Sequence, residues 1–558
     1  MRNKILLSLS AISIMALTSC SKLGALSSDN FNVTPNPLET QAGKVPATIN
    51  GAFPEKYMKK KAVVKVIPQL RYGNGQVAVG TGTTFQGEKV EGNDQTISYL
   101  VGGHYSMKTS FNYVPELQKS DLYLTFNARI GNREVKIPDI KVATGVIATS
   151  ELYRTTLKNA SACIAPDSFK RVNKLKQEAN IKFLIQQANL RKSELKNNSV
   201  QEFVRLLKEI NKDKEGKAID NVEVSAYASP DGGMDLNDKL AKQRKVVSQK
   251  YVDSQLKSSK VNAPVDTKYT AEDWDGFQQL VSASNVQDKD VILRVLSMYK
   301  DPEEREKQIH NISAAYKELA DEILPQLRRS RLTINYQTIG RDDNQILSTL
   351  NSEPAKLSVE EMLYAATLKD NATDQERIYK MTTEVYPKDY RAYNNLAALE
   401  YAKGNIDKAR SYLQDALRAN PKAEETTANM GLLALRDGNI SEAQLCVAKA
   451  PNANGVKEIL GNLHLAQGDY VQAEQDFSDV NSNSAALAQI LNKDYASAAV
   501  SLKYVKNPDA MTDYLKAVLN SRMGNISEAK TNLNNAVAKD SSLAKYAAND
   551  LELAKLNK

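Results

Sequence analysis

Residues 387–421 read PKDYRAYNNLAALEYAKGNIDKARSYLQDALRANP. Two helix-length segments flank Gly404-Asn405-Ile406, and a proline stands at each end, Pro387 and Pro421, 34 residues apart. Small side chains at Ala397 and Ala409 let two helices approach closely. Gly404 supplies the turn between them and Pro421 ends the second. The same Gly-Asn/Asp-Ile/Tyr-x-x-Ala element returns as Gly438-Asn439-Ile440 with Ala443, Gly468-Asp469-Tyr470 with Ala473, and Gly524-Asn525-Ile526 with Ala529. A degenerate copy, Lys493-Asp494-Tyr495 with Ala498, lies among them. A period near 34 residues signals a solenoid of stacked helical hairpins, five or six of them, over residues 356–558.

The first of these copies, with Tyr393, Leu396, Ala397, Ala409, Leu413, Ala416 and Pro421, resembles the tetratricopeptide repeat. Such stacks present a concave groove suited to an extended or helical segment of a partner. The resemblance therefore implies protein partners bound through the repeat groove.

Upstream, residues 178–340 read as mixed α/β. Ile181–Ile185 and Val222–Tyr227 read as strands. Phe203, Leu206, Leu207 and Ile210 share one face of a helix over Ser199–Ile210. A long helix is expected over Leu236–Leu256 and a closing strand over Arg331–Tyr336. Ala226-Tyr227-Ala228-Ser229-Pro230-Asp231-Gly232, followed by Asn237, Leu240 and Arg244, resembles the OmpA-like peptidoglycan-binding family. Asp273-Trp274-Asp275-Gly276 and Ile323 to Ser330 resemble a Bacteroidota variant of that domain, so the likeness spans residues 170–345 and includes a helical insertion. The family grips the diaminopimelate of the wall peptide with an Asp and an Arg, one for the ammonium and one for the carboxylate. Asn237, Leu240 and Arg244 match that pattern. The family's Asp position, eight before Asn237, is Ser229, and Asp231 lies two residues later. The resemblance thus implies a wall-peptide site at Ser229, Asp231, Asn237, Leu240 and Arg244, with one charged half displaced.

The amino-terminal third reads differently. Arg2 and Lys4 precede an apolar run, Ile5–Leu17, which ends in Leu17-Thr18-Ser19-Cys20. This resembles a bacterial lipobox. It implies a signal peptide over residues 1–19 and acyl chains on Cys20 as the first mature residue. No later run of about 18 apolar residues occurs, so the lipid would be the sole membrane attachment. Residues 20–55 are rich in Ser, Asn, Pro, Gly and Thr and read as a flexible tether. Residues 56–165 read as an all-β sandwich. Val63–Leu70, Gln76–Phe85, Thr96–Val101, Tyr105–Val114 and Leu122–Ile130 are candidate strands, and Gly73-Asn74-Gly75 and Gly131-Asn132 candidate turns.

Composition narrows the function. Lys and Arg exceed Asp and Glu only by 74 to 66, with no basic stripe, so nucleic acid is not expected as a partner. Three histidines, His104, His310 and His464, and three scattered cysteines, Cys20, Cys163 and Cys446, point to no metal site and no disulfide framework. No phosphate loop, HExxH or GxSxG is present, so neither catalytic residues nor a cofactor is assigned. The expected architecture is an N-terminal all-β sandwich, a central α/β OmpA-like domain and a C-terminal all-α tetratricopeptide solenoid. The expected role is a lipid-anchored outer-membrane scaffold facing the periplasm, an accessory of an envelope assembly or secretion machine. The competing role is a tether from that membrane to peptidoglycan.

Overall fold

The computed structural model describes residues 23–557. Cys20 and the signal segment lie outside the described residues. The chain divides into two compact units: residues up to Asp167 together with those from Lys369 onward, and Ser168–Leu368 between them.

The first unit begins with two sheets packed over one core. One contains Phe31–Thr34, Lys44–Phe53 and Gly103–Asn112. The other is built on the antiparallel pair Ala62–Tyr72 and Ser120–Ile130, with five shorter strands around it. Alternate residues point inward, as a sheet with one buried face demands: Val45, Ala47 and Ile49 on one strand, Ala62, Val64 and Val66 on another, Leu122, Leu124 and Phe126 on a third. Gly73 and Gly75, both at positive φ, turn Ala62–Tyr72 into Gln76–Val79 as expected.

The expected tether over residues 20–55 is corrected by these strands. Phe31, Val33, Val45, Ala47, Ile49 and Phe53 alternate with polar residues and are buried. Of the residues that suggest a linker, Pro35, Asn36, Pro37 and Gly43 fall in turns, whereas Asn32, Pro46, Asn50 and Gly51 lie within the strands. The sandwich also ends earlier than residue 165, since the last strand is Val146–Ile147. Residues 148–167 instead run as short helical turns followed by extended chain.

The C-terminal part of this unit is the expected solenoid. Five antiparallel hairpins follow one another among the described residues: Tyr390–Ala402 with Ile406–Ala419, Glu424–Arg436 with Ile440–Ala448, Val456–Gln467 with Tyr470–Asp476, Asn483–Leu491 with Tyr495–Lys503, and Ala510–Met523 with Ile526–Lys539. Gly404, Gly438, Gly468 and Gly524 all hold φ near +80°, which explains why glycine marks four of the five turns. The Asn or Asp after the turn has its own reason. The side chains of Asn439, Asp469 and Asp494 accept from the first turn of the following helix.

The second unit carries a four-stranded sheet in the order Val172–Lys182, Arg329–Ile339, Lys217–Tyr227, Val265–Thr270. Helices Asn198–Lys212 and Met234–Ser258 bury Phe203, Leu207, Val252 and Leu256 against it. An insertion from Trp274 to Leu327 has its own small core around Phe277, Val281, Ile292 and Leu319. Two helices, Asp343–Ser352 and Val359–Thr367, lie in the unit that ends at Leu368, and the helix Ala372–Val385 precedes the first hairpin in the other unit. Val359–Thr367 has helical periodicity but none of the repeat's turn element. Among the described residues no helix is long and apolar enough to cross a membrane.

Candidate functional site

The groove side of the solenoid is occupied by the chain itself. Residues 149–167 traverse it from the last helices to the first. At one end Thr149 Oγ1 donates to Glu552 Oε1 at 2.8 Å. Leu152, Tyr153, Leu157 and Ala160 merge into the solenoid core, and Tyr401 Oη donates to the Leu157 carbonyl at 2.7 Å. Beyond Ala160 the chain is extended, with buried and exposed residues nearly alternating: Cys163 and Ala165 point in, whereas Ile164 is 42% exposed.

This extended part is read through its backbone. Asn429 accepts from the Cys163 N–H at 2.7 Å and donates to the Cys163 carbonyl at 2.8 Å. Asn395 does the same for Ala165, at 2.8 and 3.0 Å. Asn394 donates to the Cys163 carbonyl at 3.0 Å and accepts from Asn429 at 3.0 Å. Asn454 donates to the Ile164 carbonyl at 3.1 Å and Arg391 to the Asp167 carbonyl at 2.9 Å. A carboxamide offers one donor and one acceptor and so matches both groups of a single residue in extended chain. Cys163 and Ala165, two residues apart, each meet such a pair, a spacing that matches the period of a strand. Asn394, Asn395 and Asn429 are essentially buried beneath the segment, and they also bond one another, Asn394 donating to Asn395 at 3.1 Å and Asn429 to Asn394. Glu458, also buried, faces Ser161. Burial pushes its carboxyl pKa up, offset in part by the Ser161 N–H and hydroxyl.

These asparagines were not singled out in the sequence, yet they leave a trace there. Asn394-Asn395 sits inside a helix whose other positions are good helix formers, and Asn429 follows Asn395 by 34 residues, one repeat. Polar residues recurring at the repeat period on a buried face mark a ladder that reads something polar.

The second unit brings its five candidate residues together. Ser229, Asp231, Asn237, Leu240 and Arg244 all line one cavity, joined by Arg328. The cavity measures about 30 Å³, room for a water or two. Arg244, 1% exposed, donates to three main-chain carbonyls: Tyr227 at 2.9 Å, Gln187 at 3.0 Å and Leu184 at 3.4 Å. Its guanidinium also lies over the Phe183 ring. Burial, with Arg328 nearby, lowers its pKa to about 10 despite Asp231. Asp231 is engaged as well. It pairs with Arg328 at 2.6 Å and accepts from Ser229 Oγ at 2.5 Å. Asn237 donates to the Gly232 carbonyl at 2.6 Å and to Glu272 at 3.3 Å. Leu240 packs with Ala228 and Ala241. Arg328 lies in the stretch that carried the family likeness, where its role as counter-ion to Asp231 depends on a loop geometry that spacing does not reveal.

Among the described residues no cluster of His, Cys, Asp and Glu could hold a metal. Cys163 and Cys446 are free thiols. Burial pushes the Cys163 pKa up to about 12, which keeps it protonated and unreactive.

No family model matches the chain, and no curated protein matches it. Among solved structures it is similar to a tetratricopeptide repeat protein from Parabacteroides merdae, at 17% identity and a TM-score of 0.27, covering 38% of this chain and 90% of that one. PilF of Pseudomonas aeruginosa is similar at 15% and 0.26, covering 35% of this chain and 95% of PilF. PilW, a type IV pilus biogenesis factor, is similar at 17% and 0.26, covering 35% of this chain and 97% of PilW.

Proposed function

We propose that this protein is a binding scaffold rather than an enzyme, held by lipid on Cys20 at the periplasmic face of an outer membrane. Its solenoid takes protein partners as an accessory of an envelope assembly or secretion machine. The observation that carries this reading is the asparagine ladder. Asn394, Asn395 and Asn429 form a built site for extended polypeptide, with both backbone groups of Cys163 and of Ala165 matched. The lipobox-like run ending at Cys20 supports the anchor.

The second unit, by its resemblance to the OmpA-like family, is proposed as a docking module. Its Arg244 spends three donors on carbonyls and its Asp231 is neutralised by Arg328, so neither half of a zwitterion grip faces an open pocket. The tether reading requires that site to open onto a wall peptide. Pull-down with purified sacculi separates the two. The docking reading expects no retention of the wild-type protein, and retention lost on Arg244→Ala would favour the tether.

Photo-crosslinking and affinity purification from intact envelopes tests the scaffold reading. It expects defined envelope proteins to be recovered with the wild type, and fewer with a Cys20→Ser variant released from the membrane. Recovery of nothing beyond the background of an unrelated lipoprotein would remove the scaffold reading. Unchanged membrane retention of the Cys20→Ser variant would remove the anchor.

A further inference from the structure

The segment in the groove is held in two unlike ways. Residues 152–157 are anchored by apolar side chains, with Leu152, Tyr153 and Leu157 sunk into the solenoid core. Residues 160–167 present only small side chains to the groove, Ala160, Cys163 and Ala165, while their one large apolar residue, Ile164, faces out. This second half is fixed mostly through its main chain, by the asparagine ladder together with Asn454 at Ile164 and Arg391 at Asp167, and main chain is common to every polypeptide; Ser161 adds its hydroxyl to Glu458. The half that is weakest in side-chain burial thus lies on the part of the groove most tolerant of sequence. It also ends where the chain enters the second unit, at Ser168.

We propose that residues 160–167 are a built-in competitor for the groove, and that the ladder's partner is an extended segment of another protein with small side chains at alternate positions. The inference rests on the scaffold reading and adds what the groove recognises and what blocks it. Residues 149–157 stay seated while 160–167 peel from Asn394, Asn395 and Asn429. The incoming segment then takes over the same amide pairs. Because the site is filled in the resting protein, apparent affinity is reduced by the fraction of molecules with the segment released.

The test uses the full-length protein and a fluorescein-labelled peptide of residues 158–168 as probe, read by anisotropy. Ala165→Pro removes the N–H that Asn395 accepts and releases the competitor. Asn394→Ala, Asn395→Ala and Asn429→Ala together remove the ladder. Circular dichroism and thermal melting confirm that each variant retains its helices. The wild type is expected to bind the probe weakly, Ala165→Pro about tenfold or more tightly, and Ala165→Pro with the ladder removed not at all. Equal binding by the wild type and a folded Ala165→Pro would overturn the proposal, as would binding that survives loss of the ladder. Dimerisation of Ala165→Pro in sedimentation, with the probe unbound, would assign the groove to a second copy and overturn the foreign-partner claim. Envelope partners recovered equally well by the ladder variant would overturn this inference while leaving the scaffold reading intact. Probe binding without any envelope partner would do the reverse.

Discussion

The groove of the solenoid and the cavity at Arg244 are both filled by the chain's own atoms, but the fillings differ in kind. In the groove the occupant is a separate stretch of chain. Its extended half buries little side-chain surface and is held through backbone pairs that another polypeptide can reproduce. At Arg244 the occupants are three carbonyls of the surrounding loops and strand, around a guanidinium that is 1% exposed in a space of about 30 Å³. A ligand can exchange with the first occupant by peeling. It can exchange with the second only by breaking the unit's own packing. The contrast shows that a space filled by a separate segment is open to exchange in principle, whereas one filled by the framework is part of the fold.

The largest effect separating the two regions is expected at Arg244. Arg244→Ala removes three charge-assisted hydrogen bonds, one of them to the buried Tyr227 carbonyl, and a guanidinium that lies over Phe183, at a cost of about 3–5 kcal/mol. Urea unfolding followed by a probe in the second unit checks this. A loss below about 1 kcal/mol would return Arg244 to the role of a ligand group held in reserve.

Asn429→Ala is expected to cost less, about 1–3 kcal/mol, because the Cys163 backbone loses both of its partners on that side chain yet can reach water by peeling. Limited proteolysis should then cut within residues 160–167 in the variant before any solenoid helix is cut. Unchanged cleavage would mean that the ladder does not hold the segment.

Glu458 sharpens the same comparison through pH. Its folded-state pKa is raised, chiefly by burial. A raised carboxyl contributes stability that is fully present below the unfolded glutamate range and is lost as pH rises through the folded value. Stability of the first unit should therefore fall over that window, and Glu458→Gln should flatten the fall relative to wild type. Parallel pH profiles for the two proteins would remove Glu458 as the cause.

The smallest effect belongs to the degenerate turn. Lys493 holds φ at +67° where the other turns carry glycine. Lys493→Gly should stabilise by about 0.5–1 kcal/mol, since only glycine takes that backbone region freely. A lower melting temperature for the variant would contradict this account of the repeat.

How much of this was legible in the sequence depends on whether the deciding contacts are local. The solenoid was, because Gly404 and its repeats mark turns that each hairpin makes alone. The sheet and long helix of the second unit were, through the periodicity of residues such as Phe203 and Leu207. The strands over 31–53 were not. Phe31–Thr34 is short and is followed by Pro35, Asn36 and Pro37, which mark a linker, Lys44–Phe53 carries Pro46, Asn50 and Gly51 within it, and only pairing with Gly103–Asn112 makes them a sheet. The five residues drawn from the family likeness do converge on one cavity, but their mutual neutralisation needed Arg328, nearly a hundred residues away. The filling of the groove was beyond reach. Asn429 and Cys163 are 266 residues apart, and nothing local to either announces the other.

The central claim is that the groove is occupied by a segment with one anchored and one peelable half, gripped by its backbone. Hydrogen exchange of the full-length protein, resolved to single amides, tests it most directly. The account predicts that the Cys163 and Ala165 amides are protected well above free chain, yet exchange faster than those of Leu157 and of the helix Tyr390–Ala402. Exchange at the rate of unstructured chain would mean that the groove is empty. Exchange only in step with the surrounding helices would mean that the segment never leaves.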